Sequence, residues 1–225
     1  VLGECRALEQ AGKAGRCRGI IRGQRDRWVD SLEGLGWTNA ASLRDPIVGS
    51  IWLGSQSGHA SSATTRGPLV LDSLRLLVGD EPLWAAIRRV AKSYRGQGLN
   101  TKSFLLQTQA AAKIDLRSFF AWWVYTTPQL PTLRLDYTLT KEDDGTFTLD
   151  GSVWVETGSA VEPLPAIIPT ILHMIVDGTD PQLRRIVLTE QPRPIRMEGL
   201  PGKIKKLALD PAKSFPGRTK VTQTK

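Results

Sequence analysis

The chain has 225 residues, 40% of them hydrophobic and 23% charged, and carries a formal net charge of +8 at pH 7. That composition suits a folded protein of one large or two small domains, and with no run of about 18 apolar residues it excludes a membrane-spanning helix. The basic excess favours acidic partners, yet the cations spread over one cluster from Arg16 to Arg27 and another from Lys203 to Lys225, which reads as a solvated face and a loose tail. No zinc-finger spacing, RRM signature or aromatic–basic interleaving points to nucleic acid as a specific ligand. The first residue is Val1 rather than Met and no basic-then-apolar leader follows, so the expectation is a processed chain or a piece of a longer one.

Cys5 and Cys17 are too few for a disulfide framework or a structural zinc site. On one continuous helix they would lie roughly 18 Å apart, too far for a disulfide, whereas a turn at Gly12 or Gly15 would bring them together. Free thiols are the expectation. Residues 16–33 read as a helix, with Ile20, Ile21, Trp28, Val29 and Leu32 on one face and arginines between. Gly34, Gly36 and Asn39 break it; residues 45–47 read as a loop, 49–54 as a short extended piece and 55–65 as a Ser/Thr/Gly-rich stretch.

Pro68 sits where a first helical turn tolerates it, and Leu69, Val70, Leu71, Leu74, Leu77 and Val78 follow at helical spacing until Gly79 and Asp80. Pro82 opens a second helix, with Leu83, Trp84, Ile87, Val90, Ala91 and Tyr94 on its apolar face. Thr101 is placed as the cap of a third, and Asp115 as the cap of a fourth that runs over 116–125 with Phe119, Phe120, Trp122 and Trp123. Helices joined by short polar turns make an α-bundle or solenoid-like layer, and this aromatic density reads as core packing. After Pro131 the period changes to two. Residues 132–140 and 146–155 form a hairpin around Asp143, Asp144 and Gly145, and further strands are predicted at 168–176, 185–188, 195–197 and 204–209, at the spacing of a small β-sandwich. The residues after Pro216 read as a mobile basic tail. The predicted domains are therefore 1–130 helical, 131–215 β-sandwich and 216–225 tail.

Ile51-Trp52-Leu53-Gly54, Arg66-Gly67 and the run Val70-Leu71-Asp72-Ser73-Leu74-Arg75-Leu76-Leu77-Val78-Gly79-Asp80 resemble the C-terminal catalytic-domain region of the zinc aminopeptidase family of aminopeptidase N and leukotriene hydrolase. In that family a "PIWLG" loop precedes "Y-x-K-G" and a helix ending in "L-R-x-x-x-G-D". Tyr94-Arg95-Gly96, Thr101, Phe104 and Asp115-Leu116-Arg117-Ser118-Phe119-Phe120-Ala121-Trp122-Trp123 are similar to the family's later pattern. Leu130-Pro131-Thr132-Leu133 and Leu207-Ala208-Leu209-Asp210-Pro211 resemble the opening and the close of its β-sandwich. The resemblance covers about residues 46–215 and implies an α+β multidomain fold, the helical C-terminal half of a gluzincin catalytic domain followed by a small β-sandwich.

The family's chemistry needs zinc on the two histidines of H-E-x-x-H, a glutamate on the next helix and a tyrosine hydroxyl for the oxyanion. H-E-x-x-H is absent from this chain; His59 and His173 stand alone and read as structural or solvated. Leu2-Gly3-Glu4-Cys5-Arg6-Ala7 resembles the family's "L-x-E-G-[apolar]-A", so Glu4 is either a remnant third zinc ligand or an unliganded surface glutamate. Cys5 replaces the glycine and Arg6 the large apolar residue, and a cation beside the metal shell opposes zinc by charge repulsion. Thr64 occupies the expected tyrosine position, where its shorter, less acidic hydroxyl does not replace a phenol. Two expectations follow. The first is a non-catalytic aminopeptidase-like scaffold with no cofactor of its own, in a larger assembly and facing a protein partner through basic surfaces. The second is a C-terminal fragment or split half of a working or weakened zinc aminopeptidase whose H-E-x-x-H helix lies upstream.

Overall fold

A computed structural model of the chain describes residues 1–34, 66–125, 130–157 and 167–224. The expectations for residues 45–47, 49–54 and 55–65, with His59 and Thr64, lie outside the described residues. Two compact units divide the chain, Val1–Pro128 and Gln129–Lys225, and together they make a mixed α+β protein.

Gly12 sets the geometry of the first unit. Helix α1 (Leu2–Gln10) meets helix α2 (Ala14–Gly34) through a turn in which Gly12 has φ 72°, a left-handed conformation that a residue without Cβ adopts freely. The reversal brings the Cys5 and Cys17 Cα atoms to 4.6 Å, and the two residues form a disulfide. The expectation of free thiols is thus corrected: the separation that forbids a bond along one helix is removed by the turn. Ile21, Trp28 and Val29 of α2 are buried, as their spacing requires.

Helix α3 (Gly67–Val78) carries Pro68 in its first turn, where the missing N–H has no intrahelical partner to lose. It buries Leu69, Val70, Ser73 and Leu74 and stops at Gly79, whose φ of 91° ends the helical path while its N–H donates to the Arg75 carbonyl at 2.8 Å. Helix α4 (Asp80–Ser93) starts at once and buries Leu83, Trp84, Ala86 and Val90. The cap of helix α5 (Thr101–Ala112) is Asn100 rather than Thr101, because the Asn100 side chain accepts the Ser103 N–H at 2.8 Å. Helix α6 (Arg117–Phe120), whose first N–H donates to Asp115 at 2.9 Å, widens into a π-helical turn over Ala121–Tyr125. Its aromatic residues are core: Trp122 and Trp123 meet edge to face at 4.5 Å between centroids, and Phe119 and Phe120 are buried beside them.

In the second unit β1 (Thr132–Lys141) and β2 (Phe147–Glu156) form the expected hairpin. β3 (Ile168–Val176), β4 (Gln182–Leu188), β5 (Arg193–Leu200), β6 (Ile204–Leu209) and β7 (Arg218–Gln223) follow. One sheet has the order β5-β2-β1-β7 and the other β4-β3-β6. Leu149 and Leu200 from the first sheet and Met174 and Val176 from the second share one core, flanked by Tyr137, Phe147 and Leu207, so the two sheets face each other as a sandwich.

The residues after Pro216, expected as a mobile tail, instead carry β7, which runs parallel to β1 in the register Thr132↔Arg218 to Tyr137↔Gln223. An edge strand is held by its backbone ladder, so Arg218-Thr219-Lys220-Val221 needs no apolar alternation to stay there. Gly217 makes the approach possible: a Cβ there would strike the Pro131 carbonyl and the Phe215 ring. Asp210 builds the preceding turn, its buried carboxylate accepting the Ser214 N–H at 3.0 Å and the Phe215 N–H at 2.8 Å. Among the described residues no helix is long and apolar enough to cross a membrane.

Candidate functional site

The motif residues of the first unit gather on α1, on the start of α3 and at the α3–α4 junction. Glu4 lies in the first turn of α1 and is exposed. Its neighbour Cys5 is fully buried in the disulfide, and Arg6 turns back over Trp84 of α4, its guanidinium carbon 4.5 Å from the ring centroid. Arg6 therefore covers the Trp84 ring through a cation–π contact. Among the described residues no three His, Cys, Asp or Glu side chains come close enough to hold a metal ion. Glu4 offers one carboxylate, a catalytic zinc needs three protein ligands, and a sulfur held in a disulfide is not a thiolate donor. The described donor set does not fit zinc.

The "L-R-x-x-x-G-D" run has a structural purpose that the sequence did not reveal. Gly79 turns the chain so that Arg75 meets Asp80, with Nε to Oδ1 at 2.9 Å and Nη2 to Oδ2 at 2.8 Å. The same guanidinium reaches Glu9 of α1, with Nη1 to Oε1 at 3.0 Å and Nη2 to Oε2 at 2.7 Å. Hydrogen bonding to Asp80 above all holds the Arg75 guanidinium above its ordinary range, with burial acting against it and Glu9 adding to the rise. One arginine thus ties α1, α3 and α4 through two bidentate forks, a geometry that lysine does not reproduce.

Arg66, at the lysine place of "Y-x-K-G", is fully buried just before α3. Its Nη2 donates to the Trp123 carbonyl in the π-helical turn, and its guanidinium carbon lies 5.9 Å from the Trp28 ring centroid. Nε and Nη1 are buried and have no hydrogen-bond partner among the described residues. Desolvation pushes its pKa down to about 9, which leaves it a cation at neutral pH. The sequence signal was only its place in a motif; a buried, half-satisfied charge has no signature in composition or period.

Beside it, a cavity of about 350 Å³ opens between α3, the start of α5 and α6, walled by Val70, Leu71, Leu74, Phe104, Phe119 and Phe120. Asn100 and Thr101 are the polar residues of a lining that is otherwise apolar and accepts an apolar group. His173 lies in the second unit on β3, half-buried, its buried Nδ1 without a hydrogen-bond partner among the described residues. Thr64 and His59 fall outside the described residues.

No protein-family model matches the chain, and no curated protein matches it. Among solved structures, the chain is similar in fold to an aminopeptidase A of Legionella pneumophila in complex with aspartic acid, with a TM-score of 0.56 and 17% identity. The likeness covers 72% of this chain, more than either unit alone holds, and is one of fold. The chain spans 18% of that protein's length.

Proposed function

We propose that this chain is a degenerate aminopeptidase-like scaffold, with the gluzincin layout of helical half and β-sandwich, that serves as an interaction or assembly subunit. The observation that supports it most is the state of the residues after Glu4. Where the family resemblance calls for glycine and a large apolar side chain, Cys5 is bound into a disulfide and Arg6 is stacked on Trp84. A guanidinium on this helical turn opposes a divalent cation at Glu4. Thr64 in place of the oxyanion tyrosine adds a second obstacle, since losing one such donor typically lowers turnover by about 10²–10³. The chain brings no cofactor of its own, and its basic surfaces are the contact to a protein partner rather than to a specific nucleic acid.

The test is metal content and turnover of the purified protein: zinc well below one equivalent, and no cleavage of an aminoacyl-arylamide, are expected. Stoichiometric zinc together with turnover would sink the proposal. A second reading is favoured by the 18% span and by the exposure of Glu4. It makes the chain a split half that completes a zinc site with an H-E-x-x-H helix encoded upstream, and zinc would then be bound only with that segment present. In that case Glu4→Gln abolishes zinc uptake by the reconstituted protein. Under the first reading the substitution changes nothing.

A further inference from the structure

The outward face of the three-stranded sheet is built as though something lies on it. In a sandwich one face of each sheet is core and the other is ordinarily polar. β3 is largely apolar on both. Leu172, Met174 and Val176 point inward and are buried, while Ile171, His173 and Ile175 alternate with them on the outer side and are half-buried. In register beside His173 are Ala208 of β6 and Leu183 of β4, and Leu183 is 66% exposed. A strand apolar on both sides is the pattern of a covered sheet.

The charges say what covers it. Arg185 pairs with Ile171 across one side of β3 and Lys206 with Ile175 across the other, so the two exposed cations stand at opposite corners of the apolar patch. Neither has an acidic partner among the described residues; Asp177, nearby, is engaged by Lys205 at 2.7 Å. With strands about 4.8 Å apart and about 3.3 Å rise per residue, the two cations are separated by roughly 16 Å. A helix with side chains is about 10 Å wide and fits between them along the other diagonal, over His173. His173 lies half-buried at the centre of the patch, and its Nδ1 atom is itself buried.

We infer that this face docks an amphipathic helix of a partner protein, with an apolar stripe on Ile171, His173, Ile175 and Leu183 and acidic residues at its flanks against Arg185 and Lys206. A second copy of the chain is the less suited occupant, because it would bring the same cations to the same corners. The inference rests on the interaction role proposed above and names the surface and the partner chemistry for it.

The test uses the full chain and a synthetic 18-residue amphipathic helix, leucine on one face and glutamate on its flanks, with a lysine-for-glutamate copy as comparison. Fluorescence anisotropy is expected to show the acidic peptide binding at least tenfold more tightly than the basic one. Hydrogen exchange should slow in β3 and β4. Leu183→Asp, at an exposed position with little bearing on folding, should weaken binding at least tenfold, and Arg185→Glu with Lys206→Glu should reverse the peptide preference. Arg196→Glu on β5, in the other sheet, should leave binding within twofold. Equal affinity for both peptides, indifference to Leu183→Asp, or protection confined to other strands overturns the inference. So does a concentration-dependent dimer abolished by Leu183→Asp, which would make the face a contact between copies. Zinc with turnover would remove the scaffold reading and leave the peptide result standing, so the two failures are distinguishable.

Discussion

Particular cations of the two units are placed in contrasting ways. In the helical unit Arg66 is buried against the Trp123 carbonyl and Arg75 is shared between Glu9 and Asp80, so arginine is used to hold helices together. In the β unit Arg184, Arg185, Lys205 and Lys206 are all exposed, and the core of Leu149, Met174, Val176 and Leu200 holds no charge. Resemblance to an enzyme motif therefore says little about what a residue does. The arginine and aspartate of the "L-R-x-x-x-G-D" run form a clamp between helices, and a clamp serves the fold with or without any chemistry. Surface charge carries no such structural duty and is free to follow a partner.

That contrast can be broken at several points. The largest effect is expected from Phe119→Ala, which empties a fully buried position in the helical unit and should destabilise it by about 3–5 kcal/mol; denaturant unfolding should show one weakened transition, with the exchange protection of β1–β3 unchanged. Removing the disulfide as the double variant Cys5→Ser and Cys17→Ser should lower stability by roughly 2–4 kcal/mol. A reducing agent should reproduce that loss in the native chain but not in the variant. Arg66→Met is expected to act in the other direction, raising stability by about 1 kcal/mol, because exchanging a buried, poorly paired charge for an apolar chain of similar length relieves its desolvation. Arg184→Gln, an exposed change, should stay within about 0.5 kcal/mol. A loss of several kcal/mol in Arg66→Met would mean that the Trp123 bond outweighs desolvation and that the contrast is one of bonding alone.

The smallest expected effect is a pH dependence at the start of α6. Hydrogen bonds from the Arg117 side chain, and then from its backbone, lower the Asp115 pKa from the ordinary 3.8 to about 2. A carboxyl depressed on folding contributes stability that is complete above the ordinary value and is lost as pH falls through about 2. Amide chemical shifts of residues 116–120 should move over that window, and added salt should shrink the effect because the pair is exposed.

Much of the fold could be read from the sequence because period and punctuation are local. Pro68, Gly79 and Gly145 mark ends that the structure keeps, although the helix expected to open at Pro82 already starts at Asp80, and Leu133, Leu135, Leu149 and Val153 alternate as a half-buried hairpin must. What escaped depends on partners distant in the chain. β7 is polar because its place is secured by β1, and the disulfide depends on a reversal at Gly12 that spacing alone leaves open. The cap at Asn100 was missed by one residue because Asn and Thr are both good caps and only geometry chooses. At the candidate site, the sequence identified Glu4 and Thr64 by resemblance but gave no sign that Arg6 would lie on Trp84 or that Arg66 would be buried.

The parallel pairing of β1 with β7 has a consequence for the making of the protein. Tyr137 and Gln223, neighbours across that ladder, are 86 residues apart in the chain. At a synthesis rate of about 5–20 residues per second, β1 leaves the ribosome roughly 4–17 s before its edge partner. For that interval the hairpin presents an open edge bearing Leu133 and Leu135, the kind of template on which nascent chains associate. A chaperone acting on this chain has its clearest task there, in shielding one strand until the last one arrives.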